Sequence, residues 1–463
     1  MRKPRSLFSA VDMTQGEPWK KLLIFTVPLL IGNMFQQLYG TVDAIFLGRA
    51  VGDDALAAVG SSVPIFFLAL VILMGIGIGA GIMVSQYLGA QSREDISYTV
   101  GTSITIITVA SIAITIFAPF GTRPLLVLLN TPPEILDDSV LYMNILLWGI
   151  LGMGYFNILS SIIRGLGDSF TPLIFLILAC LLNIALNLFF IVILGMGVFG
   201  AAIGTVIAQA FSSVLCFVRL FKMRDVFDMG WQYMRPKKQY VLQVLKLGLP
   251  TAASQATFAV AMMIIQPLVN GFGAMFVATN LIVMRIDGFV MMPIFSFGNA
   301  ITVFTGQNVG AGQIERVSQG VRQCCMLSAG TAFVTLSLIL LFGHHVAGAF
   351  TETQEVVDLS IRMLRILAVG YIALSVSMVI WGVIRGAGDA MSPLWGALII
   401  MAIRTPAAFL LVYLMGVPES LMYAMLISWL SNLGISVIMF RRGKWRGKSL
   451  VSKEAMAGCD SKL

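Results

Sequence analysis

One carboxylate, Asp43, stands within a long apolar stretch that runs from Lys20 to Leu47, KKLLIFTVPLLIGNMFQQLYGTVDAIFL. A helix over Lys21 to Leu47 is roughly 40 Å long, enough to cross a bilayer. Ionisable groups inside such a segment are costly, which marks Asp43 as a functional-site candidate. Counting along later spans puts three more polar side chains at a similar depth, roughly 10 Å below the outer surface at 1.5 Å per residue. They are Asn183 and Asn187, neighbours at i and i+4 on one span, and Thr205 on the next. Desolvation disfavours the charged form of a carboxyl, so such a group can take up a proton or pair with a cationic compound, but not both at once. That competition is the minimum needed for exchange. The alternative is a hydrogen-bonding cluster that only packs helices, and amides and hydroxyls also serve that role.

These residues need elements that hold them in the membrane. Of 463 residues, 58% are hydrophobic and 11% charged, with a mean hydropathy of +0.91. A soluble domain carries about 25% charged residues, so the chain is an all-α integral membrane protein. Twelve spans are expected, near 20–47, 55–86, 96–118, 137–163, 170–194, 199–221, 241–269, 275–306, 318–342, 355–384, 392–415 and 420–440. Among the 30 Lys and Arg, only Arg49 and Arg123 fall in loops assigned outside, and Arg285, Arg362, Arg365 and Arg404 lie within spans. The rest cluster on the other side, which predicts cytoplasmic termini in a plasma membrane. The net charge of +8 follows this topology, and no nucleic-acid partner is expected.

The chain repeats itself. IIRGLGDSFTPL (162–173) returns as VIRGAGDAMSPL (383–394), an offset of 221 that also aligns SQYLGAQ (85–91) with GQNVGAG (306–312). Six spans separate equivalent elements, so the halves are parallel repeats. The expected architecture is two six-helix lobes around a central cavity: an N-terminal segment 1–19, an N-lobe 20–221, a linker 222–240, a C-lobe 241–440 and a basic tail 441–463. Each RGxGD reads as a tight turn, with Asp and Thr or Ser then starting the next helix. Pro28 removes an internal hydrogen bond and marks a place where the first span can bend.

V-D-A-I-F-L-G in the first span, the twin RGxGD loops and GMGVFGAAIGT (195–205) together resemble the multidrug and toxic compound extrusion (MATE) family over about residues 15–440. The resemblance implies a twelve-helix, two-lobed antiporter that exports organic, often cationic compounds in exchange for protons or sodium ions. It gives Asp43 the coupling role, implicates Asn183, Asn187 and Thr205, and implies that protonation bends the first helix near Pro28. The family often has Asp where Asn187 stands, so the proton-coupled branch is expected rather than the sodium-coupled one. The alternative within the same superfamily is a lipid-linked saccharide flippase, which Arg285 and Arg404 would suit.

The second half does not duplicate the polar cluster. Its span 8 holds Arg285 and Asp287, which as i and i+2 do not face each other; an ion pair from Arg404 to Asp287 is expected instead. Candidate cavity residues are Gln36, Tyr39, Met263, Arg285, Asp287, Met291 and Arg404. GIGIGAG (75–81) lies inside an apolar helix and reads as close helix packing, not a nucleotide loop. Cys180, Cys216, Cys324, Cys325 and Cys459 lack metal-ligand spacing, and His344 and His345 read as interfacial. No nucleophile–base set is present, so no enzyme is expected. The expected partners are small organic molecules and the bilayer, with no cofactor beyond a transported proton or sodium ion, and the chain is expected to act as a monomer.

Overall fold

The computed structural model describes residues 10–348, 351 and 353–451. Cys459 lies outside them. The described chain is helical: α1 Pro18–Ala50, α2 Asp53–Gly89, α3 Arg93–Leu128, α4 Pro133–Trp148, α5 Ile150–Gly165, α6 Phe170–Asn187, α7 Gly197–Lys222, the short α8 Trp231–Met234, α9 Lys238–Gly271, α10 Ala274–Gly310, α11 Ile314–Gly348, α12 Gln354–Gly386, α13 Met391–Met415 and α14 Ser420–Arg441. Eleven are long and apolar enough to cross a membrane. The twelfth span, expected as one helix over 137–163, is instead the pair α4 and α5, bent by 50°. Gly149 lies at the bend, where a side chain would strike Val206 at 2.3 Å. The span expected over 170–194 also changes character: past Asn187 its backbone continues as a π-helix, Leu188–Ile193.

Two compact units are present. The first comprises the residues ending at Asp12 and Val27–Ala252; the second comprises Met13–Thr26 and Ala253 onward. Residues 20–26 and 241–252 therefore fall in the opposite unit from the lobes drawn at 20–221 and 241–440. The changes come at Val27 and Ala253, close to Pro28 and Pro250 in sequence.

In the first unit, glycines on two faces of α2 set the packing. A Cβ on Gly75 would lie 2.5 Å from the Gly248 carbonyl, and one on Gly79 would lie 2.9 Å from the backbone of α9. On the other face, a Cβ on Gly81 would meet the Ser161 carbonyl at 2.9 Å, and one on Gly165 the Gly81 carbonyl at 2.6 Å. Without an apolar driving force between helices in lipid, backbones must approach closely to gain contact, and small residues permit it. The second unit repeats the device: a Cβ on Gly382 would meet the Gly298 carbonyl at 2.4 Å, and one on Gly386 the Thr302 carbonyl at 2.3 Å. There Met13 also joins α10, its N–H donating to Gln307 Oε1 at 3.0 Å and its carbonyl accepting from Asn308 Nδ2 at 3.1 Å.

Both RGxGD segments close their helices alike. The N–H of Gly167 donates to Arg164 and that of Asp168 to Ile163; Gly388 and Asp389 repeat this to Arg385 and Ile384. That bond pair ends a helix on a left-handed residue, and Gly167 and Gly388 have φ of +92° and +100°.

The segment after α7 docks on α3 in the first unit. Arg93 donates to Asp228 at 2.7 Å and to the Arg224 carbonyl at 2.7 Å, while Tyr98 stacks on Tyr240 at 5.4 Å. The Arg93 guanidinium holds the Asp228 carboxyl below the usual carboxylate range. Its contribution to docking is complete above the ordinary carboxyl pKa and lost as pH falls through the lowered value. Amides of residues 224–234 should therefore stay equally protected from hydrogen exchange at pH 7 and pH 5. Protection should fall only below about pH 4; loss already between pH 7 and 5 would refute the ion pair's role.

Candidate functional site

Four side chains from three helices of the first unit meet around Asp43. α1 supplies Asp43, α6 supplies Asn183 and Asn187 one turn apart, and α7 supplies Thr205. The Asn187 amide donates to Asp43 Oδ1, and the Thr205 hydroxyl donates to Asp43 Oδ2 at 3.3 Å. The Asn187 amide also reaches Asn183 Oδ1 at 3.2 Å, and Asn183 Nδ2 lies 3.5 Å from Thr205 Oγ1. Asn183 is 1% exposed, Asn187 0% and Thr205 7%.

The local chain explains the closeness. A Cβ on Gly204 would stand 2.9 Å from Asn187 Oδ1, so a larger residue there would push the amide away. Tyr39, one turn before Asp43, is buried with its hydroxyl unbonded. Tyr142 of α4 is also buried and lies within electrostatic range of Asp43. Sequence reading did not single out Tyr142 or Gly204. Tyr142 does not break the apolar pattern of its helix, and Gly204 lies in the GMGVFGAAIGT stretch without a role of its own being legible there.

Chemically, both carboxylate oxygens face hydrogen-bond donors. A hard cation instead needs several oxygens directed inward. As arranged, Asn187 turns its amide nitrogen to Asp43, while Asn187 Oδ1 is buried without a hydrogen-bond partner. The set holds the Asp43 carboxylate between two donors, with the Asn187 oxygen unbonded.

The other candidates divide between the units. Gln36 is exposed on α1, two turns before Asp43. In the second unit, Met263 and Arg285 are exposed and Met291 is half-buried. The expected Arg404–Asp287 ion pair is not formed. Arg404 is 7% exposed, and its Nη2 lies 3.8 Å from the thioethers of Met262 and Met425. Asp287 instead lies beside Tyr371, outside hydrogen-bond geometry, with Asp287 Oδ1 and the Tyr371 hydroxyl both buried and unbonded. Span depth predicted that Arg404 and Asp287 share a level, but not which way each side chain points.

A helical membrane protein built from two parallel repeats, with one hydrogen-bonded carboxylate within its first span, has the form of a carrier. The chain belongs to the MatE family, whose model matches it over residues 28–189 and again over 250–414. It is 29% identical to "Probable multidrug resistance protein YoeA" of Bacillus subtilis, covering 85% of this chain and 87% of that one. It is 25% identical to "Probable multidrug resistance protein NorM" of Thermotoga maritima, covering 94% and 95%. Its fold matches a MATE crystal structure in the bent conformation with a TM-score of 0.88 at 23% identity, over 97% of this chain and 98% of that one.

Proposed function

We propose that this chain is a secondary active exporter of small amphipathic, cationic organic compounds, and that Asp43 carries the proton exchanged for them. The observation that carries the reading is the donor set on Asp43, which holds the anion without supplying a cation's oxygen cage. Curated relatives named as multidrug resistance proteins support the substrate class. The cycle needs no covalent chemistry. Loss of a proton from Asp43 frees the carboxylate for an organic cation, and protonation releases that cation. On protonation the carboxyl needs an acceptor for its new O–H, and Asn187 Oδ1, unbonded as it stands, would supply one once the amide turns over. Pro28, inside α1, is the place where that helix would respond by bending. The basic clusters of the sequence support cytoplasmic termini in a plasma membrane.

The test is uptake of a fluorescent organic cation into inverted vesicles under separately imposed proton and sodium gradients. Uptake is expected with the proton gradient alone, and uptake with sodium alone would overturn proton coupling. A second reading, a lipid-linked saccharide flippase, is favoured by Arg404, a buried guanidinium with no carboxylate at ion-pair distance among the described residues. Failure of cation transport under both gradients, in protein shown to be folded, would favour it.

A further inference from the structure

The two RGxGD repeats carry the same carboxylate, but among the described residues only one has a cationic partner. In the first unit, Asp168 accepts from the Thr171 N–H at 2.9 Å and from the Thr171 hydroxyl, and Arg219 of α7 completes it at 2.8 Å. In the second, Asp389 accepts from Ser392 in the same way, N–H at 3.1 Å and hydroxyl at 2.7 Å. The offset that maps Asp168 to Asp389 maps Arg219 to Phe440. Among the described residues, no Arg or Lys lies at ion-pair distance from Asp389.

A cavity of about 200 Å³ lies there instead, lined by Asp389, Ser392, Trp395, Arg442, Lys444 and Trp445 among others. Trp445 is a fixed wall. It is 1% exposed, stacks on Phe440 at 5.3 Å, and donates from Nε1 to the Phe440 carbonyl at 3.1 Å. Gly443, at φ +67°, turns the chain after α14 and brings Lys444 into the cavity lining. Neither Arg442 nor Lys444 forms an ion pair among the described residues.

The cavity therefore offers one carboxylate lacking its cation and two cations lacking an anion. It lies at the ends of α13 and α14, two helices long and apolar enough to cross a membrane, and the end of such a span is where lipid headgroups meet a protein. Trp395, 55% exposed, suits that boundary. A zwitterion with a primary ammonium and a phosphate satisfies both sets, and the bilayer supplies it. We propose that this cavity binds the phosphoethanolamine headgroup of a membrane phospholipid, its ammonium donating to Asp389 in the place Arg219 takes beside Asp168, its phosphate held by Arg442 and Lys444. A quaternary ammonium carries no N–H and cannot replace it.

The test is native mass spectrometry of the purified full chain in detergent with equal amounts of phosphatidylethanolamine and phosphatidylcholine. The ethanolamine lipid should be retained about tenfold over the choline lipid, the discrimination one charge-assisted hydrogen bond supplies. Asp389→Asn, which can still cap α13, should bring the ratio to one. The double variant Arg442→Gln, Lys444→Gln, altered only at exposed positions, should lower retention of both lipids. Equal retention by the unaltered chain, or a preference that survives Asp389→Asn in folded protein, would overturn the proposal. So would displacement of the lipid by equimolar soluble phosphoethanolamine, which would make the ligand a free metabolite.

Discussion

Asp43→Asn is expected to abolish proton-driven export while leaving the chain folded. The substitution is nearly isosteric and keeps an oxygen to accept from Thr205, so the cluster can still assemble. It removes the group able to alternate between anion and neutral acid. With a permanently neutral residue, an organic cation would enter without a counter-charge. A charge inside a membrane span costs about 2.5–3.5 kcal/mol on insertion scales, so exchange should fall roughly 100-fold or more. Asp43→Glu keeps the chemistry on a longer arm and should retain measurable exchange. The measurement is vesicle uptake of a fluorescent cation under a proton gradient, with equal amounts of folded protein. Wild-type rates in Asp43→Asn would place the coupling group elsewhere, with Asp287, whose Oδ1 is buried and unbonded, as the alternative.

Gly165→Ala and Gly386→Ala should each destabilise the fold, although alanine is the better helix former. At both positions the added Cβ meets a backbone carbonyl, Gly81 at 2.6 Å and Thr302 at 2.3 Å, and a helix backbone cannot turn aside as a side chain can. Overpacking of this kind costs about 1–3 kcal/mol, and the two sites lie in different units, so the double variant should lose about the sum. Gly330→Ala in α11 has nothing within 4 Å and should have the opposite sign, gaining roughly 0.5–1 kcal/mol from helix propensity. Melting temperatures in detergent would read all three. A Gly386→Ala protein as stable as Gly330→Ala would refute the close approach of α10 and α12.

What the sequence by itself determined was depth. Long apolar runs, the fixed rise of a helix and the 221-residue repeat gave the spans, their parallel halves and a shared level for Asp43, Asn183, Asn187 and Thr205. The RGxGD turns were legible because a left-handed helix end calls for glycine and the Asp after it can cap the next helix. Direction around each helix was not legible, because spans apolar on every side carry no amphipathic stripe to orient them. Direction kept Arg404 and Asp287, expected at one level and within electrostatic range of each other, from forming an ion pair. It also set Tyr371 beside Asp287, whereas the loss of Arg219's counterpart beside Asp389 was already written in the sequence as Phe440. The bend between α4 and α5, and the change of unit near Pro28 and Pro250, likewise arose from packing. Which backbone a glycine allows to approach is decided by its neighbour in space, and only the folded chain supplies that neighbour.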